Sequence, residues 1–84
     1  MHSVLFVASI PQKPVNHTHP KMIWGAYLGL LEPKIRDAEN IARLAENVWL
    51  VDVSKGFGPL GHLVSVSENQ SISYGLLPFE KAPE

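Results

Sequence analysis

The residues of this sequence whose types suit chemistry are its histidines, a glycine-rich turn and a few hydroxyls near an acid. His17-Thr18-His19 places two imidazoles two positions apart in a proline-rich stretch. Neutral imidazole is a good zinc ligand, and a zinc site needs three or four donors. Alternate residues of an extended chain point to opposite sides, so this pair does not converge on one ion by itself. His62, Asp52 or His2 would have to complete the set. The candidate metal ligands are therefore His17, His19 and His62. The competing reading, a solvated polar loop, is the stronger one, and no cofactor is expected.

Gly56-Phe57-Gly58-Pro59-Leu60-Gly61 has the spacing G-x-G-x-x-G, after an apolar strand and ahead of a helical pattern. In that setting, backbone N–H groups and a helix N-terminus can cradle a phosphate. Dinucleotide folds need far more chain than this. Pro59 also removes one of the donors. The residues kept as candidates for binding some other anion are Lys55, Gly56, Gly58 and Gly61. A plain loop leading into a helix is again the stronger reading.

His62, Ser65, Ser67 and Asp52 supply the residue types of a hydrolytic triad. On a helix His62 and Ser65 would be neighbours. There is no nucleophile elbow and no oxyanion loop in the sequence. Catalytic residues are accordingly expected to be none.

The elements that must position these groups come from pattern. VLFVASI, ended by Pro11, is a strand over 4–10. Residues 11–21, with three prolines, form a long loop. MIWGAYLGLL over 22–31 is ambiguous. Thr18 and Pro20 would start a helix, but Gly25 and Gly29 weaken one, and a strand is favoured. Residues 34–46 carry Ile35, Ala38, Ile41, Ala42, Leu44 and Ala45 close to one helical stripe, and Glu39 precedes Arg43 by four. A helix is predicted there. Strands are predicted over 48–53 and 71–79, and a helix over 60–67, opened by Pro59. The tail, 80–84, is polar.

This gives a single small α+β domain over residues 1–84. Its sheet is mixed, with three or four strands, and two helices cover one face. It loosely resembles a ferredoxin-like fold, in element count alone, and that implies no function.

Two strands are apolar on both faces. Val4, Phe6, Ala8 and Ile10 point one way in the first, with Leu5 and Val7 on the other. In 48–53, Val48 and Leu50 share a face with Asp52, while Trp49, Val51 and Val53 oppose them. An antiparallel strand with one wet face normally alternates apolar and polar. Two helices cover only one side, so the other side needs a partner copy, a ligand or the 11–21 loop. A homo-oligomer, with a dimer the commonest form, is expected. Trp24, Tyr27, Trp49 and Val51 are the residues expected at its interface.

Composition narrows the rest. The chain has 84 residues, no cysteine, seven Lys and Arg, and eight Asp and Glu. A core this thin commonly needs help from a metal, a disulfide or a partner chain, and disulfides are ruled out. The basic residues are scattered, so no nucleic-acid partner is expected. No apolar run is long enough to span a membrane, and no secretory signal is expected at the start. A cytoplasmic location fits the cysteine-free composition.

The functional expectation is a non-catalytic protein–protein interaction module that self-associates, with an unidentified protein partner as a further option. The alternative is a small-molecule binder, its apolar pocket between the 11–21 loop and the open sheet face. A small oligomeric enzyme with an interface site ranks third.

Overall fold

The computed structural model describes residues 2–80, with side chains over 3–78. The predicted polar tail therefore lies outside the described residues beyond position 80. The element order is β1 (His2–Ala8), α1 (Pro20–Ile35), β2 (Ile41–Ala45), β3 (Val48–Asp52), a short 3₁₀ turn (Val53–Lys55), α2 (Gly58–Asn69) and β4 (Tyr74–Glu80).

The four strands form one sheet in the order β2-β3-β1-β4. Every pairing is antiparallel, so the sheet is not mixed as expected. The β-α-β-β-α-β order is that of the split βαβ arrangement, to which ferredoxin-like folds belong.

The stretch expected to be a strand over 22–31 is instead the heart of α1. His19 caps it: its Nδ1 accepts the Lys21 N–H at 3.1 Å, and Pro20 takes the first turn, where a missing N–H costs nothing. Trp24, Tyr27 and Leu31 recur at spacings of three and four and are buried. Gly25 and Gly29 sit on the outward side, where an added Cβ would meet nothing within 4 Å. Their spacing is not a close-packing seam. Pro33 falls in the last turn and does not stop the helix.

The helix predicted over 34–46 is also overturned. Lys34 and Ile35 end α1, and Ile41–Ala45 is an edge strand. Asn40 fixes that change. Its Nδ2 donates to the Asp52 carbonyl at 2.9 Å and to the Gly56 carbonyl at 3.2 Å, while its own carbonyl accepts the Asp52 N–H at 2.9 Å. The expected Glu39–Arg43 pair gives way to other contacts. The Arg43 guanidinium lies 5.3 Å above the Trp49 ring and 3.8 Å from Glu32, and its Nη2 donates to the Glu46 carbonyl at 2.6 Å.

The remaining elements fall where expected, with shifted ends. β4 begins at Tyr74 and runs to Glu80 through Pro78, which an edge strand tolerates. The helix predicted over 60–67 extends from Gly58 to Asn69. It closes with Ile72 N–H donating to Ser67 at 2.8 Å and Ser71 N–H to Glu68 at 3.3 Å, the paired bonds of a Schellman ending. Ser71 takes the left-handed position of that ending, at φ 56°.

One side of the sheet carries the core. Phe6, Ala8, Trp49 and Val51 point toward Trp24, Tyr27 and Leu31 of α1 and Leu63 and Val66 of α2. Phe6 stacks on Tyr74 at 5.1 Å and meets Trp49 edge-on at 6.1 Å. The two helices are joined by a buried hydrogen bond of 2.8 Å between the Tyr27 and Ser67 hydroxyls. Burial pushes the Tyr27 hydroxyl above its ordinary pKa, and the bond to Ser67 offsets part of that rise.

Candidate functional site

The residues singled out from sequence do not gather. His17 lies at the tip of a small hairpin whose ends, Val15 and Thr18, bridge each other. Asn16 and His17 have φ of 49° and 66°, so both central residues of this turn are left-handed, as in a type I′ turn. His19 is spent on capping α1, and His62 is exposed on α2. Among the described residues, no three His, Asp or Glu side chains lie where they could hold a metal ion.

The glycine-rich turn is also largely self-satisfied. Gly56 N–H donates to Val53 at 3.2 Å, and Gly61 N–H donates to Phe57 at 2.8 Å. Gly56 sits at φ 129°, a conformation other residues rarely adopt, which accounts for a glycine there without any ligand. Gly58 opens α2, and Lys55 ends the 3₁₀ turn and is exposed. Two of the three glycine N–H groups are thus already committed to the backbone.

The triad residue types are occupied separately. Ser67 is bonded to Tyr27. The Asp52 carboxylate accepts both the hydroxyl and, at 3.0 Å, the backbone N–H of Ser54. These bonds hold its pKa below the ordinary carboxylate value. Ser65 and His62 are exposed on α2.

The four residues expected at an interface lie elsewhere than expected. Trp24, Tyr27, Trp49 and Val51 are at most 6% exposed and form the core between sheet and helices. Their aromatic and branched side chains are consumed in burying the helices, so they offer nothing to a second chain. The surface that matches the expectation is the other face. Register places Leu5 opposite Leu50 on β3 and Leu77 on β4, Val7 opposite Val48 and Gly75, and Leu50 opposite Ala42 on β2. None of these seven positions carries a charge. Leu5, Val7, Val48 and Leu50 are only half-buried, and Leu77 is 60% exposed. Asp52 stands at the margin of this face, its carboxylate turned to Ser54.

Ala42 and Leu77 were not legible as members of this surface. A helix over 34–46 hid the first, and the face of Leu77 depends on its register with Leu5. Once β2 is read as a strand, its alternation with β3 is the signal that would have found Ala42.

Of the loop expected over 11–21, Pro20 and Lys21 belong to α1, and the rest does not roof the open face. It folds toward α1 and the turn after α2, where a cleft of about 630 Å³ opens, so the expected pocket lies at the end of the helical layer. The helix beginning at Pro20 sets this direction, because it carries the chain onto the covered side of the sheet.

No helix of the described residues is long and apolar enough to cross a membrane. Comparison with family models, with curated proteins and with solved structures gives no significant match.

Proposed function

We propose that this chain is a non-catalytic module that acts through protein–protein contact, and that it pairs with a second copy of itself through the open face of its sheet. The observation that carries this reading is the uncharged apolar set Leu5, Val7, Val48, Leu50 and Leu77 on the side without helices. An antiparallel sheet facing water places polar residues at such positions. Exposed apolar patches of this kind mark contact surfaces.

A second copy suits this face on two counts. A two-fold contact sets a patch against its own copy, and an uncharged apolar patch is complementary to itself without needing paired charges. Stacked sheets at a spacing of about 10 Å also let leucine and valine side chains interdigitate.

Size sets the strength. Four strands about 4.8 Å apart, five residues long at about 3.3 Å each, make a face of roughly 300 Å² in projection. A standard stable interface buries about 800 Å² per partner. The dimer is therefore expected to exchange with monomer at micromolar concentration.

Sedimentation across the micromolar range tests this. The expected result is a shift toward twice the chain mass as concentration rises. Leu50→Lys should abolish the shift. Leu77→Lys, at an exposed edge position where folding is not at stake, should weaken it. A monomer at every concentration overturns the reading, and so does a dimer indifferent to both substitutions.

A further inference from the structure

The cleft beside α1 stands on the opposite side of the sheet from the proposed contact face. Its floor is Ile10, Ile23, Ala26 and Ile72. Val15 and Met22 also line it, and they are 58% and 68% exposed. Met22 adds an adaptable wall, since an unbranched thioether repacks around varied shapes.

Local structure holds this concavity open. The hairpin at Val15–Thr18 is tied by two backbone hydrogen bonds, of 2.9 and 3.2 Å, which fix Val15 beside the cleft. On the far side, Ser9 N–H donates to the Ser73 carbonyl at 2.8 Å and pins the end of β1 to the start of β4. The Schellman ending of α2 turns Ile72 inward and leaves Ser71 on the rim. The resulting volume, about 630 Å³, is in the range of small-molecule sites.

Charge decides the class of occupant. Among the described residues that line the cleft, Lys13 is the one ionised group, and no carboxylate accompanies it. The remaining rim is hydroxyl and amide, from Ser9, Asn16, Thr18, Gln70, Ser71 and Ser73. An apolar floor with one cation at its edge favours an apolar molecule with a single anionic head. We infer that this cleft binds a medium-chain monocarboxylate, with its chain along Ile10, Ile23 and Ile72 and its head toward Lys13.

The share of each contact follows from its exposure. Lys13 is solvent-exposed, so its ammonium supports a head-group preference of about tenfold and no more. Most of the affinity comes from the floor, and it should fall by up to about fourfold for each methylene removed.

Backbone-amide NMR of the full chain, titrated with decanoate and with decylammonium, tests this. Decanoate should give saturable shifts at Ile10, Ile23, Ala26 and Ile72, and bind about tenfold more tightly than decylammonium. Lys13→Glu should reverse that preference without changing the fold. Ala26→Trp, at an exposed position of α1, should fill the cleft and abolish binding with the helix retained. Equal affinity for the two head groups overturns the inference. So does the absence of saturation, or shifts centred on Leu5 and Leu50. Because the open sheet face and the cleft share no residue, failure here leaves the self-association reading standing, and the reverse holds too.

Discussion

The two faces of this sheet are built from neighbouring residues of the same strands and have opposite fates. On β1, Phe6 and Ala8 are fully buried, while Leu5 and Val7, which alternate with them, stay half-open. On β3, Trp49 and Val51 are buried, and Val48 and Leu50 are not. The side-chain types are alike; what differs is whether a helix lies above them. Apolar character therefore places a residue in a strand, whereas the packing of α1 and α2 decides which apolar residues become core. The covered face holds the chain together, and the open face is left without a helix above it.

The largest test of that division is a pair of substitutions on adjacent residues. Phe6→Ala removes a ring packed against Trp49 and Tyr74 and should cost about 3–5 kcal/mol, which is most of the stability of a domain this small. Leu5→Ala, one position away, should cost about 1 kcal/mol in dilute solution. Urea denaturation at low protein concentration measures both. Equal losses would break the comparison, because the open face would then be carrying core energy in the monomer.

A smaller effect probes the polar tie inside the covered side. Tyr27→Phe strands the Ser67 hydroxyl in the core and should cost about 1–2 kcal/mol. Ser67→Ala should cost a similar amount, and the double variant distinctly less than the sum. The raised Tyr27 pKa sets the sign of an alkaline effect. Its contribution is complete below the ordinary tyrosine value and is lost as pH rises through the raised one. Tyr27→Phe should flatten that alkaline limb in a pH series of thermal melts.

The smallest effect belongs to the margin of the open face. The Ser54 hydrogen bonds lower the pKa of Asp52. The contribution of Asp52 is present above the ordinary aspartate value and is lost as pH falls through the lowered one. Ser54→Ala should move the Asp52 titration upward, as followed by NMR of the side-chain carboxyl, and change overall stability little. An unmoved titration would mean that this carboxylate is held by something other than its 3₁₀ cap.

Parts of this architecture were legible in the sequence for clear reasons. β1 and β3 announce themselves through β-branched and aromatic runs cut off by proline or glycine. The doubled apolar faces of both strands follow from period-two counting and hold within the observed strands, while Ile10 and Val53 fall beyond their ends. The α2 helix was readable from Pro59 and the spacing of Leu60, Leu63 and Val64. The segments over 22–31 and 34–46 were not, and each failed through a misleading pattern. The outward side of α1 bears Met22, Leu30 and two glycines, so the helical period is blurred by apolar residues that face water. Residues 34–46 show a helical stripe by coincidence of Ile and Ala positions, while a bulge between Arg43 and Ala45 erases the alternation that would mark a strand.

What the sequence determined by itself is therefore the inventory: an α+β chain without cysteine, two strands apolar on both sides, and chemical motifs with ordinary structural explanations. Tertiary structure decided the allocation. It sent Trp24, Tyr27, Trp49 and Val51 into the core, set Leu77 beside Leu5, and turned the 11–21 loop toward the helices instead of the open face. The physical reason is that burial is a property of pairs of surfaces. A strand specifies two faces locally, but only long-range packing of α1 and α2 determines which face is closed and which remains available.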